Sequence, residues 1–200
     1  MARPTRWVTD TDEGHSAWYV ERFRTMAAEG ADLEGEARMV DAMVGRGARL
    51  LDAGCGPGRT AGALHRFGHE VVGVDADPVL IEAAEADHPG PRFLVADLSE
   101  LDLAAHDEHP PFDAAVMAGN VLAFVAPGTE ADVLTRVAAH LHPDGFLVAG
   151  FHVEKLPVAT YEAAVADTDL AEDHRFATWD LRRWHDEADF VVSVLRRASD

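Results

Sequence analysis

Cysteine is nearly absent from this chain. Cys55 stands alone among 200 residues, so no internal disulfide can form and no cysteine-based metal cluster can be assembled. Lysine is equally scarce, with Lys155 the only one, and 17 bases against 36 acids leave a net charge of −19. Such a field repels phosphate backbones, whose binding rests on neutralisation by Lys and Arg, so no nucleic acid is expected as a partner. No apolar run approaches the roughly eighteen residues of a membrane span, which excludes a membrane partner from the expectation. The opening "MARPTRWVTDTDEGH" lacks the apolar centre of a secretory signal. A cytoplasmic location is therefore expected.

What the chain does contain is apolar residues, at 48% of the total, enough for a sizeable core at this length. No repeat or long linker divides it, so one domain over residues 1–200 is expected. A helical cap would occupy 1–45 and a Rossmann-like core 46–200. Short β-rich runs alternate with Ala-rich segments between Arg49 and Gly150, the pattern of a parallel sheet with crossover helices. Strands are expected at 48–54, 69–76, 92–98, 112–119 and 144–151, each apolar enough to be covered on both faces and hence central.

Helices are expected at 58–67, at 78–87 with Pro78 in the first turn behind Asp77, and at 129–140, where Thr129 and Asp132 resemble a capping box. Upstream, Tyr19, Val20, Phe23, Met26 and Ala27 share one helical spacing, and Leu33, Ala37, Val40 and Val44 another. The first of these helices, set off by Gly30 and Gly35, suits a lid. Downstream a helix follows Pro157, and "RFATWDLRRW" and "DFVVSVLRRA" read as an antiparallel hairpin joined by the short stretch 185–189.

The chemistry concentrates in "RLLDAGCGPGRTAGAL", residues 49–64, where Gly54, Gly56 and Gly58 separate a strand from a helix. A phosphate loop of the Walker type needs a Gly-Lys-Ser/Thr ending, and no lysine is there. The dinucleotide fingerprint G-x-G-x-x-G fails at its third glycine, where Arg59 stands. Pro57 further denies the turn a backbone donor. A ligand less centred on phosphate is indicated. Asp75, ending the second strand one βα unit later, is suited to accept both hydroxyls of a ribose.

These segments resemble the class I S-adenosylmethionine-dependent methyltransferases. "LLDAGCGPGR" is similar to that family's first motif, "VVGVDAD" to its second, "FLVADL" to its third, "FDAAVMAGNVLAFV" to its fourth-strand motif and "LHPDGFLVAGF" to its fifth-strand segment. The resemblance spans roughly residues 36–198. It implies an α/β fold, a doubly wound seven-stranded sheet that is mostly parallel with an antiparallel last strand. The implied cofactor is S-adenosyl-L-methionine, released as S-adenosyl-L-homocysteine. Asp52 with the backbone of Gly54 and Gly56 would meet its methionine end, Asp75 would hold the ribose, and Ala76 would pack on adenine. Asp97 and the Leu98 amide would read the adenine edge, and Ala118 and Gly119 would line the sulfonium.

Methyl transfer from a sulfonium is an in-line displacement with an activated leaving group, and positioning can supply much of its acceleration. No catalytic residue is assigned. Tyr19, Asn120 and His152 are candidates for acceptor contact, the last two because they follow strand ends where ligands of open α/β sheets bind. Arg22 and Arg38 pair either with the cofactor carboxylate or with neighbouring acids. His106, His109, His140 and His142 form no metal-like pairing, and no metal is expected. The short chain and small insertions point to a small-molecule acceptor. Two other readings stand beside the methyltransferase: a non-catalytic cofactor sensor or partner subunit, and a nicotinamide-dependent oxidoreductase. Oligomeric state is not legible.

Overall fold

The computed structural model describes residues 3–108 and 111–197, so His109 lies outside the described residues. Seven strands form one sheet: β1 Arg49–Ala53, β2 Glu70–Asp75, β3 Arg92–Val95, β4 Phe112–Met117, β5 Leu141–His152, β6 Leu170–Phe176 and β7 Phe190–Arg197. Their order is β3-β2-β1-β4-β5-β7-β6. The first five pair in parallel, while β7 runs antiparallel to both β5 and β6. The doubly wound, mostly parallel sheet expected from the sequence is present.

Among the described residues eight α-helices accompany it: α1 Arg6–Thr9, α2 His15–Ala28, α3 Gly35–Met43, α4 Arg59–Arg66, α5 Pro78–Asp87, α6 Val121–Phe124, α7 Glu130–Ala139 and α8 Val158–Ala166. Because strand side chains alternate, Leu50 of β1 faces α3, α4 and α5, whereas Leu51 faces α6, α7 and α8. Both residues are buried. Two apolar layers thus sandwich the sheet, which is why its central strands read as continuous apolar runs. Asp77 caps α5 by accepting the Val79 N–H at 2.8 Å, with Pro78 at the first helical position as expected.

Four expectations need correction. β3 is an edge strand with one neighbour, and Val95 is correspondingly exposed, so the five strands are not all central. The Thr129 hydroxyl donates to the Ala126 carbonyl instead of capping α7, so no capping box forms there. The helix after Pro157 stops at Ala166, and β6 begins at Leu170, upstream of the expected strand. The stretch "TWDLRR" instead turns back on itself. Thr178 and Asp180 hydrogen-bond through their side chains, Leu181 sits at φ 65°, and Ala177 N–H donates to Arg182 O at 2.8 Å. The join between β6 and β7 therefore runs from 177 to 189 instead of five residues. Trp179 packs against the backbone of Gly150, so close that a Cβ there would lie 2.3 Å from its ring.

No helix among the described residues is long and apolar enough to cross a membrane. Leu134, wholly buried on α7 where that helix packs on β5, tests the packing. Leu134→Ala is expected to lower stability by about 2–5 kcal/mol through lost burial and a residual cavity. Urea unfolding should show the midpoint falling at unchanged slope.

Candidate functional site

The carboxyl ends of β1, β2 and β4, with the turn after β3, surround a cavity of about 110 Å³ that opens to solvent. Its walls begin with the glycine turn. Gly54 and Cys55 N–H groups both donate to the Val74 carbonyl, at 2.7 and 3.0 Å, which ties the turn to the end of β2. Gly54 has φ 79°, and a Cβ on it would lie 2.5 Å from Val121 of α6. Gly58, at φ 80°, would collide with Ala84 and Phe93 at 2.8 and 2.9 Å. Any side chain at either position meets both an unfavourable backbone angle and a steric overlap.

Asp52 is almost wholly buried, and its Oδ2 accepts the Ala61 N–H at 2.9 Å inside the first turn of α4. It therefore does cap that helix, while also lining the cavity. Burial pushes its carboxyl up to about 7, against the opposing pull of the Arg59 guanidinium. Asp75 accepts the Gly56 N–H at 2.9 Å on one oxygen and the Asp77 N–H at 3.0 Å on the other. Its carboxyl is raised to about 6, again by burial first. Asp97 uses Oδ1 to accept both the N–H and the hydroxyl of Ser99, each at 2.8 Å, and so caps the short 3₁₀ turn Leu98–Glu100.

All nine expected cofactor positions, Asp52, Gly54, Gly56, Asp75, Ala76, Asp97, Leu98, Ala118 and Gly119, line this one cavity. Tyr19 lines it too, standing between Gly56 and Gly119. Cβ atoms built on those glycines would lie 3.8 and 3.9 Å from its ring carbon Cε1 and its hydroxyl. Burial raises the Tyr19 phenol above its ordinary value.

Asn120 and His152 are not among the lining residues. The Asn120 side-chain oxygen accepts the His152 N–H at 2.7 Å, and the His152 ring packs edge-on against Phe190 at 4.8 Å. The two residues brace the ends of β4 and β5 against each other. Arg38 pairs with Asp32 at the surface, and Arg22 lies over the Trp18 and Phe23 rings, so neither reaches the cavity wall.

Sequence reading missed Trp7, Arg59, Asp77 and Phe124, which also line the cavity. Arg59 follows Gly58 directly, and its guanidinium is bound by both Glu36 oxygens and by the Leu33 carbonyl while packing 5.3 Å from the Phe23 ring centre. Its place immediately after the turn was the available signal. Among the described lining residues, four carboxylates thus face one guanidinium that Glu36 already neutralises.

Known proteins match this arrangement. Residues 50–145 match a family described as Methyltransferase domain. A solved structure, a TehB-like SAM-dependent methyltransferase from Corynebacterium glutamicum, is 37% identical, covers 94% of this chain and 100% of its own, and superposes with a TM-score of 0.87. The chain belongs to the class I S-adenosylmethionine-dependent methyltransferases. Its enzyme class and cofactor, S-adenosylmethionine, follow from that membership, in accord with the sequence resemblance.

Two curated relatives match more partially. The ribosomal protein L11 methyltransferase of Symbiobacterium thermophilum is 34% identical over 115 residues, 56% of this chain and 35% of that protein. The uncharacterized methyltransferase YodH of Bacillus subtilis is 34% identical over 103 residues, 50% of this chain and 41% of its own. The chain spans under half the length of these curated relatives. The first of them overturns the expectation of a small-molecule acceptor: a methyltransferase sharing this core is named for a protein substrate. A short core built around the cofactor does not restrict the acceptor's size.

The raised carboxyls carry a pH prediction. Asp52 and Asp75 bind protons more tightly in the folded chain than near 3.9, their unfolded value. Folding then takes up protons between about pH 4 and 7, and the stability so contributed is full below pH 4 and lost as pH rises through 7. Asp52→Asn keeps an acceptor for Ala61 but cannot ionise. The variant is expected to be more stable than the parent at pH 8, by on the order of 1–3 kcal/mol, with the gap narrowing at pH 5 and closing only below about pH 4. Urea unfolding at the two pH values checks this.

Proposed function

We propose that this methyltransferase transfers a methyl group to its acceptor by in-line displacement in the cavity described above. In this reading Asp75 holds the ribose, Ala76, Asp97 and Leu98 enclose the adenine, and Asp52 with the Gly54 and Gly56 backbone receives the methionine end. Ala118 and Gly119 flank the sulfonium. The observation that carries it is the convergence of these nine residues on one cavity that is rich in carboxylates and holds one, already paired, guanidinium. Such a wall suits a cationic ligand without phosphate.

When bound, S-adenosylmethionine supplies a methyl group already activated on a sulfonium. The chain's part is then to position, to desolvate and to balance charge. Tyr19, Phe23 and Trp7 form an aromatic wall that meets the glycine turn at Gly56 and helps exclude water. None of the described lining residues is a histidine or lysine, and burial holds the Tyr19 phenol protonated at neutral pH. Acceleration through positioning, with no general base from the cavity wall, is the mechanism these residues support.

Asp75→Ala tests the assignment. Loss of roughly two charge-assisted hydrogen bonds is expected to weaken S-adenosylhomocysteine binding by about 30-fold or more. Circular dichroism should stay native. Equal affinity in the folded variant would remove Asp75 from the ribose site.

A further inference from the structure

Residues 3–28 pass over the cavity as a strap whose own packing is sparse. No residue of α1 is buried, and Val20 is the one buried residue of α2. Val8 and Trp18 are 67% and 54% exposed. On the β2 side the strap is tied to α5 by the contact of Val20 with Leu80 and Ala83, by the Arg24–Asp87 pair at 2.8 Å and, at its Trp7 end, by the carboxylate of Asp77. Its Oδ2 accepts the Trp7 indole N–H at 2.8 Å and the Ser16 hydroxyl in a short hydrogen bond. On the other side Arg6 pairs with Glu130 at 3.0 Å. Between the anchors, the Trp7 ring meets Tyr19 and Phe124 edge-on, with centroids 5.2 and 5.3 Å apart, so it bridges the β2 and β4 sides of the crevice.

Asp77 is also joined to the carboxylate assigned to the ribose. Its N–H donates to Asp75 Oδ1 at 3.0 Å, while its own Oδ1 caps α5. We infer that Asp77 is a positioning residue, a latch that holds the Trp7 strap shut over the cofactor and couples strap closure to occupation of the neighbouring Asp75. The inference rests on the cofactor reading above for its coupling and on the hydrogen bonds alone for its latch. The Trp7 end of the strap, where α1 buries no residue, sits at the low end of local stability, where a charge-assisted anchor shifts the balance between open and shut.

The test is Asp77→Asn, which keeps an oxygen for the Val79 N–H and a backbone N–H for Asp75 but turns an amide donor toward Trp7. Trp7→Phe combined with Ser16→Ala removes the same anchor from the other partner and serves if Asp77→Asn does not fold. Amide hydrogen exchange of residues 6–28 is read with and without S-adenosylhomocysteine, beside calorimetric affinity. Expected are faster exchange confined to the strap in the ligand-free variant and a dissociation constant raised about tenfold. Unchanged strap exchange would overturn the latch whatever the ligand does. Faster exchange with unchanged affinity would overturn the coupling. If the parent protein binds no S-adenosylhomocysteine, the cofactor reading and the coupling fall together, and the latch is judged on exchange alone.

Discussion

A single buried carboxylate holds the site together. Asp52 lies where β1 ends, and by accepting an orphan N–H in the first turn of α4 it fixes how far the glycine turn can swing before the helix begins. The turn is fastened at its other side by two N–H groups on Val74. Between these fastenings the chain approaches α6 so closely that Gly54 has room for no side chain. The cavity's floor is therefore determined by backbone geometry, and the side chains that matter are arranged around it.

The arrangement is electrostatically costly. Burial first, and then the neighbouring carboxylates, raise both acids: Asp75 raises the proton affinity of Asp52 and Asp77 that of Asp75, while Arg59 is largely committed to Glu36. Structural economy would replace at least one acid with an amide. Retaining them makes sense for a pocket that receives a cation, because the ligand's charge then completes a balance that the protein leaves unfinished.

Much of this was legible in the sequence because the central strands are covered on both faces and so appear as unbroken apolar runs. The nine positions that the family resemblance pointed to lie at the ends of those runs or in the turn beyond, and all of them line the one cavity. β6 was misplaced for the opposite reason: "LAEDHRF" carries four consecutive exposed residues on an edge, whereas the aromatic-rich turn after it imitates a strand. Trp7 and Asp77 were invisible as a pair because 70 residues separate them and neither belongs to a periodic pattern. Asn120 and His152 were placed at the right strand ends, but their hydrogen bond to each other is a tertiary fact that spacing does not encode. The acceptor was misread because chain length says little about what enters an open cavity.

The central claim is that this carboxylate-lined cavity is a site for S-adenosylmethionine, and calorimetric titration tests it most directly. The purified chain is titrated with S-adenosylmethionine and S-adenosylhomocysteine, beside NAD and ATP. Saturable one-to-one binding of the first pair, with none of the second, is the predicted result. Binding of NAD or ATP in preference, or no binding of the first pair to a demonstrably folded chain, would contradict it.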